Sequence, residues 1–471
     1  MHYISTRGEA PELAFDDVLL AGLAADGGLY VPKTYPAVAR GDIAALAGLP
    51  YDAAAARLIE PFAGEIGAGV LRDATRAAYA GFSHRAVAPL TQIDDNLFVL
   101  ELFHGPTLAF KDLAMQLLGR LMNHVLEQRG LGATIVGATS GDTGAAAIEA
   151  FAGQNRVDVF ILYPDGRVSD VQRRQMTTVA DDNIHAIALR GTFDDAQSIL
   201  KSLFRDSAYR KRLGLAGVNS INWARVVAQM VYYFTSAVAL GAPFREVSFA
   251  VPTGNFGDVL AGYVAKRMGL PLSRLIVATN ANDILARALA SGRYEPRGVT
   301  PTQSPSMDIQ LSSNFERLLF DALGRDAGAL RAAFASLDQS GGFDIPPGAL
   351  ASIREDFDAR AVSEVETSAE IARTYRESGY VLDPHTATGV HAARARLAVD
   401  PSTPVVALAT AHPAKFPAAI ERAIGERIEL PPRLAPILTA EERFSRLEND
   451  EGRVRAFIED HARATRLATR V

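Results

Sequence analysis

The 471-residue sequence contains no cysteine, which excludes disulfide bonds, thiol nucleophiles and cysteine-ligated metal sites. It also lacks any apolar run approaching the roughly 18 residues that a membrane-spanning helix needs. The first residues, MHYISTRGEAPELAF, contain no apolar signal core. Together these absences predict a cytoplasmic protein with no membrane partner.

Concentrated positive charge is absent as well. The formal net charge is −6 and no basic block is interleaved with aromatic residues, so nucleic acid is not an expected partner. The nine histidines form no HExxH pair, and we expect no metal site. Hydrophobic residues make up 48% of the chain and charged residues 22%, which is typical of a globular protein.

Lysine is scarce, with 6 lysines against 42 arginines. One of them, Lys111, lies in GPTLAFKD (105–112), directly after the apolar run NLFVLELFH (96–104). A lysine amine can lose its proton and attack a carbonyl, whereas a guanidinium stays charged, and an apolar setting favours the neutral amine. The alternative is a lysine at a helix start whose stem covers apolar surface while its amine reaches water.

From residue 96 onward, short β-branched runs alternate with glycine-rich turns and alanine-rich helical patterns. This alternation predicts an α/β fold, and the continuous apolar character of the runs is typical of strands buried on both faces of a parallel sheet. Residues 1–95 are alanine-rich and are predicted to form a mostly helical N-terminal domain. The predicted strands are 133–138, 157–164, 183–189, 246–252, 275–280 and 404–410.

Two strand–turn–helix junctions are rich in glycine: GATSGDTGAAA (137–147) and PTGNFGDVLAGY (252–263). Glycine allows close backbone approach to a ligand, and the free N–H groups at a helix start favour an anion. Neither junction is a Walker A loop or a dinucleotide fingerprint. Each could also be an ordinary glycine-rich turn with a capping Asp or Thr.

A reactive lysine, a phosphate site and a carboxylate site together suit pyridoxal 5'-phosphate. The aldehyde of this cofactor takes a lysine as a Schiff base, its phosphate suits a helix N-terminus, and its amino-acid substrate brings a carboxylate. The combination therefore predicts a pyridoxal-phosphate enzyme.

Seven segments occur in the order found in the threonine synthase family, which the chain resembles over essentially its whole length. They are HGPTLAFKDLAMQ, GATSGDTGAAA, GRVSDVQRRQM, NSINWARVVAQ, PTGNFGD, DPHTATGVHA and ATAHPAKF. The resemblance implies a fold type II pyridoxal-phosphate enzyme, similar to the β subunit of tryptophan synthase, with two open twisted sheets flanked by helices. It divides the chain into residues 1–95, first and second α/β domains at 96–240 and 241–430, and a helical tail at 431–471.

The resemblance also implies an activity and a set of site residues. The reaction would convert O-phospho-L-homoserine and water into L-threonine and phosphate. Lys111 would carry the cofactor and shuttle protons. The cofactor phosphate would bind the loop formed by Gly254, Asn255, Phe256, Gly257 and Asp258.

Two further parts of the site follow from the same resemblance. Thr410 would hydrogen-bond the pyridine nitrogen. The substrate carboxylate and the phenolic oxygen of the cofactor would face Ser140, Gly141, Asp142 and Thr143. An anion at Asp142 departs from several relatives that carry Asn in this turn, and this leaves its role open.

A phosphorylated substrate needs a second anion site. The candidates are Ser169, Arg173, Asn222 and Arg225, although most arginines of this chain are expected to be solvated helix charges. His412 and Lys415, in AHPAKF, could adjoin the cofactor ring or hold a turn, and His385 could cap a helix.

Three other functions are compatible with the sequence. A threonine or serine dehydratase would share the lysine and both turns but would need no second phosphate site. A non-catalytic homologue could bind a phosphorylated ligand, and an NAD-binding enzyme would lack its fingerprint here. The sequence is compatible with a monomer or a homodimer.

Overall fold

The computed structural model describes residues 1–139 and 141–463 of the chain. Its strands are β1 (His2–Ser5), β2 (Leu13–Ala14), β3 (Tyr30–Pro32), β4 (Leu90–Asp94), β5 (Leu97–Glu101), β6 (Ala133–Ala138), β7 (Val157–Pro164), β8 (Ile184–Arg190), β9 (Leu215–Ala216), β10 (Val247–Pro252), β11 (Leu272–Thr279), β12 (Arg293–Tyr294), β13 (Phe343–Asp344), β14 (Phe357–Ala361), β15 (Val405–Ala409) and β16 (Ser445–Glu448).

The first α-helices among the described residues are α1 (Phe15–Ala21), α2 (Arg40–Ala44), α3 (Tyr51–Ala63), α4 (Ala68–Tyr79), α5 (Lys111–Gln128), α6 (Asp142–Phe151) and α7 (Asp170–Thr177). They continue with α8 (Phe193–Arg205), α9 (Ser207–Leu213), α10 (Trp223–Ala239), α11 (Gly257–Arg267), α12 (Ile284–Ser291) and α13 (Phe315–Ala322). The last are α14 (Ala327–Ser340), α15 (Pro347–Asp356), α16 (Glu364–Ser378), α17 (Pro384–Val399), α18 (Pro417–Ile424) and α19 (Glu451–His461). Among the described residues, no helix is both long enough and apolar enough to cross a bilayer.

Two large sheets form the α/β part of the fold. One has the strand order β14-β11-β10-β15-β5-β4, and only β4 is antiparallel to its neighbour. The other has the order β16-β8-β7-β6-β9 and is parallel throughout. Every residue of β7 and of β10 is buried, as expected for strands covered by helices on both faces.

The strands predicted from apolar runs are confirmed. β6 and β7 have the predicted bounds, and β10 begins one residue later than predicted. β8 and β15 differ by one residue at each end, and β11 begins three residues earlier and ends one residue earlier than predicted. The α/β fold class and the two helix-flanked sheets are confirmed as well.

The sheets do not follow the chain in simple blocks. β5 hydrogen-bonds to β15 although it precedes the whole parallel sheet of β6–β9 in sequence. The N-terminal segment contains the small antiparallel sheet β2-β1-β3 beside its helices, and the C-terminal segment contributes β16 next to β8. The division of the chain into four parts stays a prediction. The segment predicted as a helical tail contains the strand β16 as well as the helix α19.

Three neighbouring helices bring the candidate residues together. Thirteen of the eighteen residues of α5 are buried, and α10 packs against both α5 and α11. Lys111 is the first residue of α5, Arg225 lies in the first turn of α10, and Asp258 lies in the first turn of α11.

Candidate active site

Lys111 is held in place by the turn that precedes α5. The carboxylate of Asp112 accepts hydrogen bonds from the backbone N–H of Thr107 at 2.8 Å and from its hydroxyl at 2.7 Å. Leu108 adopts a left-handed conformation with φ +59°, and Ala109 forms a β-bridge with Ala411. The chain therefore enters α5 directly beside the end of β15.

The side chain of Lys111 is buried, with 8% of the residue exposed. Its Nζ lies 3.5 Å from Oδ2 of Asp142 and 4.8 Å from the centroid of the Phe110 ring. Burial lowers the pKa of Lys111, and the charges of Lys415 and Arg225 lower it further, while Asp142 acts in the opposite direction. Lys111 therefore gives up its proton to become a nucleophile more readily than an exposed lysine, and the alternative of a helix-start lysine whose amine reaches water is wrong.

A second lysine, Lys415, approaches the same carboxylate. It is fully buried, and its Nζ lies 2.6 Å from Oδ1 of Asp142 and donates a hydrogen bond to the carbonyl oxygen of Thr107 at 2.8 Å. The sequence allowed two roles for Lys415: contact with the cofactor ring, or a structural role in the Pro-bracketed turn AHPAKF. Its contact with Asp142 joins segments 273 positions apart, so no local pattern could have revealed it.

Asp142 is the first residue of α6 and lies between both lysines. Its Oδ1 accepts a hydrogen bond from Nε2 of Gln172 at 2.9 Å, and its Oδ2 accepts one from Oγ of Ser306 at 3.4 Å. Burial opposes ionisation, but the ammonium groups of Lys415 and Lys111 outweigh it and hold the pKa of Asp142 well below its usual range. The two lysines therefore compensate the negative charge of Asp142, whose role the sequence left open.

The turn before α6 is built for close approach of a ligand. Gly141 has φ +143°, and a Cβ there would lie 2.4 Å from Cδ of Gln172, so only glycine fits. Within residues 1–139 and 141–463, no acceptor is found for the backbone N–H groups of Asp142 and Thr143 or for the hydroxyl of Thr143. These free donors suit a carboxylate. Ser140 lies outside the described residues.

The second glycine-rich turn connects β10 to α11. Phe256, the residue before the helix, adopts a left-handed conformation with φ +64°. A Cβ at Gly254 would lie 3.0 Å from Cδ1 of Ile309 and 3.1 Å from the carbonyl oxygen of Ser306. Among the described residues, no acceptor is found for the backbone N–H groups of Gly254, Asn255, Phe256 and Gly257. Consecutive free N–H groups at a helix N-terminus form an anion site.

Asp258 follows this turn and is 7% exposed. The hydroxyl of Tyr232 donates to its Oδ1, as does that of Tyr233 at 3.0 Å, whereas Oδ2 is buried without a partner in the described part of the chain. Burial raises the pKa of Asp258 to about 6, against the opposing effects of the two tyrosines, Lys111 and Arg225. A carboxyl group that protonates readily is compatible with a neighbouring phosphate.

The raised pKa of Asp258 predicts a pH-dependent cost to stability. A carboxyl whose pKa is about 6 in the folded state and 3.8 in the unfolded state disfavours folding as the pH rises from about 4 through about 6. A difference of roughly two pKa units corresponds to about 3 kcal/mol. We expect Asp258→Asn to remove this cost, so that the cofactor-free variant gains stability relative to the wild type over this pH range.

Urea unfolding of both proteins at several pH values between 4 and 8 measures this gain. Asp170→Asn is the matched control, because the side chain of Asp170 is 87% exposed. A stability difference between wild type and Asp258→Asn that does not change with pH would contradict the raised pKa of Asp258.

Arg225 is a buried cation without an acidic partner among the described residues. It is 3% exposed, one of its terminal nitrogens donates to the carbonyl oxygen of Val218 at 3.2 Å, and its Nε has no acceptor in the described part of the chain. Burial lowers the pKa of Arg225 to about 10, against the opposing charges of Tyr232 and Asp258. Buried charges are normally paired, so this arginine is suited to an anionic ligand.

The other candidates for a phosphate site are engaged in protein contacts. Ser169 caps α7 and hydrogen-bonds Gln172, and Arg173 pairs with Glu442 and with Asp170 at 3.3 Å. Asn222 caps α10, and its amide donates to the carbonyl oxygens of Leu19 and Gly217. Both amide hydrogens of Asn222 are thus used, and this arrangement favours a capping role for it.

Thr410 directly follows β15 and pairs with the turn before α5. Its carbonyl oxygen accepts the backbone N–H of Phe110 at 2.8 Å, while its hydroxyl forms no hydrogen bond with the described residues. A hydroxyl without a partner among the described residues, on a residue whose backbone bonds to the neighbour of Lys111, is compatible with the predicted contact to a pyridine nitrogen.

The histidines near the site act through neighbouring segments. Nδ1 of His385 lies 2.6 Å from Oδ2 of Asp383, and its Nε2 accepts the backbone N–H of Ser306 at 3.2 Å. His385 thereby fixes the turn that presents Ser306 to Asp142. His412 caps a 3-10 turn (Pro413–Lys415), and burial lowers its pKa to about 4, so it is neutral at pH 7.

The chain matches three family profiles in succession. These are "Threonine synthase N terminus" at residues 2–79, "Pyridoxal-phosphate dependent enzyme" at 84–339, and "Threonine synthase, C-terminal" at 386–458. A threonine synthase from Pseudomonas aeruginosa is 54% identical, and the alignment covers 98% of each chain.

Solved structures agree with these matches. The crystal structure of pyridoxal-phosphate-bound threonine synthase from Brucella melitensis superposes with a TM-score of 0.96 at 56% identity, covering 98% of this chain and 100% of that chain. Threonine synthase from yeast superposes with a TM-score of 0.92 at 40% identity, covering 98% of each chain.

Proposed function

Because this chain belongs to the threonine synthase family, we propose that it converts O-phospho-L-homoserine and water into L-threonine and inorganic phosphate at the site around Lys111. It is a pyridoxal-phosphate-dependent threonine-forming enzyme that acts on a small molecule. The identity of its phosphorylated substrate and the roles of its individual residues are the proposal.

The residues of the site fit pyridoxal phosphate. The buried amine of Lys111 suits a covalent bond to the aldehyde, the free N–H groups of residues 254–257 suit the phosphate, and the hydroxyl of Thr410 suits the ring nitrogen. When bound, the cofactor supplies an electron sink that acidifies the carbon–hydrogen bonds near the substrate amino group. The observation that carries this assignment is the buried Lys111 amine next to Asp142.

Lys111 has two roles in the proposed reaction. It holds the cofactor between turnovers, and once released by the substrate amine it acts as the base that removes the proton from Cα. It then moves protons between the substrate carbons, so that Cβ loses a proton, Cγ gains one, and Cα regains its proton before threonine is released. Its lowered pKa keeps the amine available for this work.

The substrate is bound at both ends by the chain. We assign the substrate carboxylate to the free N–H groups of Asp142 and Thr143 at the start of α6. The contribution of Ser140 and Gly141 to this carboxylate site stays a prediction from the resemblance. We assign the phosphate to Arg225, because this buried guanidinium has donors to spare. The phosphate leaves from Cγ with its bridging oxygen, and the hydroxyl of a water molecule adds at Cβ.

Product analysis tests the proposed activity. The purified enzyme with added cofactor is incubated with O-phospho-L-homoserine, and threonine and phosphate are quantified in parallel. We expect the two products in equal amounts. Release of 2-oxobutanoate from threonine, without threonine formation from phosphohomoserine, would instead indicate a dehydratase, and an absence of any turnover would indicate a binding protein.

The cellular setting stays a prediction from the sequence. We propose a cytoplasmic enzyme with no nucleic-acid or membrane partner, and a monomer or homodimer in solution. Sedimentation of the purified protein would distinguish the two assembly states.

A further inference from the structure

Lys415 is buried in the site but has no part in the reaction as described above. Its Nζ contacts Oδ1 of Asp142 at 2.6 Å and the carbonyl oxygen of Thr107 at 2.8 Å. The residue is fully buried, and a buried lysine is costly unless its charge is paired. Lys415 therefore depends on Asp142 as its counter-charge.

The carboxylate of Asp142 is shared between two lysines. Oδ1 faces Lys415 at 2.6 Å, and Oδ2 faces Lys111 at 3.5 Å. Lys111 ceases to be a free ammonium group when it holds the cofactor. The charge at this nitrogen then depends on the protonation of the lysine–cofactor linkage, whereas Nζ of Lys415 stays beside Oδ1 of Asp142 and is independent of the cofactor.

We propose that Lys415 is a positioning residue whose fixed charge keeps Asp142 ionised, oriented and neutralised while Lys111 is bound to the cofactor or moving protons. The two side chains then act as one neutral unit beside the reacting atoms. This inference rests on the proposed role of Lys111 in the threonine-forming reaction.

The charges around the pair favour this role for Lys415. Burial, Lys415 and Arg225 all lower the pKa of Lys111, and Asp142 raises it. Burial raises the pKa values of Asp258 and Asp112 to about 6, and the charges of Lys111 and Lys415, respectively, oppose this rise. Burial lowers the pKa of His412 to about 4, and Lys415 adds to this effect. Removing Lys415 would leave Asp142 with an excess negative charge beside Lys111, whereas removing both members would leave no excess charge.

A double-mutant cycle tests this unit. The variants are Lys415→Met, Asp142→Asn and the double variant, and the measurements are cofactor affinity and the kinetics of threonine formation. We expect Lys415→Met to lower kcat/KM by roughly 10²–10³-fold, as for one partner removed from a buried pair. We expect the double variant to recover at least about tenfold in cofactor affinity and kcat/KM over Lys415→Met, since no unpaired charge remains.

The pH dependence of the visible absorbance of the lysine-bound cofactor gives a signed readout. In Lys415→Met, the unbalanced Asp142 carboxylate should raise the pKa of the lysine–cofactor linkage by about one unit or more. In Asp142→Asn, the unbalanced Lys415 ammonium should lower it. The double variant should return toward the wild type. A purely structural role for Lys415 would not produce opposite shifts.

A matched control uses Lys266→Met. Lys266 also forms a 2.6 Å contact with an aspartate, Asp356, but its side chain is 25% exposed. Breaking this pair should change kcat/KM and cofactor affinity by less than about threefold.

The proposal is overturned if Lys415→Met behaves like the wild type, or if the double variant shows no recovery and its spectral pKa does not return. If Lys415→Met fails to fold, Asp142→Asn is compared with the double variant, and equal cofactor affinity and spectral pKa in the two would overturn it. Cofactor affinity and the spectral pKa need no substrate. A wild-type enzyme that makes no threonine would therefore contradict the proposed function separately.

Discussion

Lys111→Ala is expected to lower threonine formation by more than roughly 10⁴-fold. Positioned proton transfer alone is worth about 10²–10⁴-fold, and this variant also loses the covalent attachment of the cofactor. The steady-state rate of phosphate release from O-phospho-L-homoserine measures the loss. The purified variant should also lack the visible absorbance of a lysine-bound cofactor.

Two comparisons make this result specific. Lys201→Ala replaces an exposed lysine on α8 and should leave the rate unchanged. Retention of the fold in Lys111→Ala is checked by circular dichroism, because removing the amine also removes the 3.5 Å contact to Asp142. Threonine formation by Lys111→Ala within tenfold of the wild type would refute the central role of this lysine.

Arg225→Met is expected to lower kcat/KM for O-phospho-L-homoserine by about 100-fold. A charge-assisted hydrogen bond to a phosphate contributes roughly 1.5–3 kcal/mol, and tenfold in an equilibrium corresponds to about 1.4 kcal/mol. The variant should fold, because the only protein hydrogen bond in the described residues that it loses is the one to Val218. Its affinity for pyridoxal phosphate should change by less than about threefold, since the free N–H groups after β10 bind the cofactor phosphate.

Arg173→Met serves as the control for this prediction. The guanidinium of Arg173 is already paired with Glu442 and Asp170, so its loss should affect kcat/KM far less than the loss of Arg225. The assignment of Arg225 would be wrong if Arg173→Met were the more damaging change. A large loss of cofactor affinity in Arg225→Met, with an unchanged KM, would instead place Arg225 at the cofactor phosphate.

Local features of the site were predictable because they depend on neighbouring residues. The glycine turns at 137–147 and 252–263 join a buried strand to a helix, as their sequences indicate. Lys111 begins α5 after the turn that follows the apolar strand β5, and its burial follows from the apolar side chains around it. Thr410 was predicted from the resemblance, and its backbone bonds to Phe110, the residue before Lys111, because the segment after β15 and the turn before α5 meet at a β-bridge.

Long-range features were not predictable from these patterns. Nothing in the local sequence indicates that Lys415 reaches Asp142, that β5 pairs with β15, or that β16 extends the sheet at β8. Among four candidates for the substrate phosphate, the sequence could not separate buried Arg225 from Ser169, Arg173 and Asn222, because their partners come from distant segments or from the geometry of helix caps.

The same limit applies to Asp142. The negative charge of Asp142 is difficult to explain from the turn alone, since the turn is expected to face the substrate carboxylate and the phenolic oxygen of the cofactor. The structure supplies the missing cations, Lys111 and Lys415, and both come from outside the turn. Side-chain chemistry could therefore be inferred from sequence wherever it was local, and the electrostatic balance of the site required the fold.

The most direct test of this account identifies the lysine that holds the cofactor. Two buried lysines contact Asp142, and either amine could in principle react with an aldehyde. The wild-type enzyme is loaded with pyridoxal phosphate, reduced with borohydride, digested and mapped by mass spectrometry. The account predicts that the reduced cofactor is attached to Lys111 in the peptide containing GPTLAFKD. Attachment to Lys415, or to no lysine at all, would contradict it.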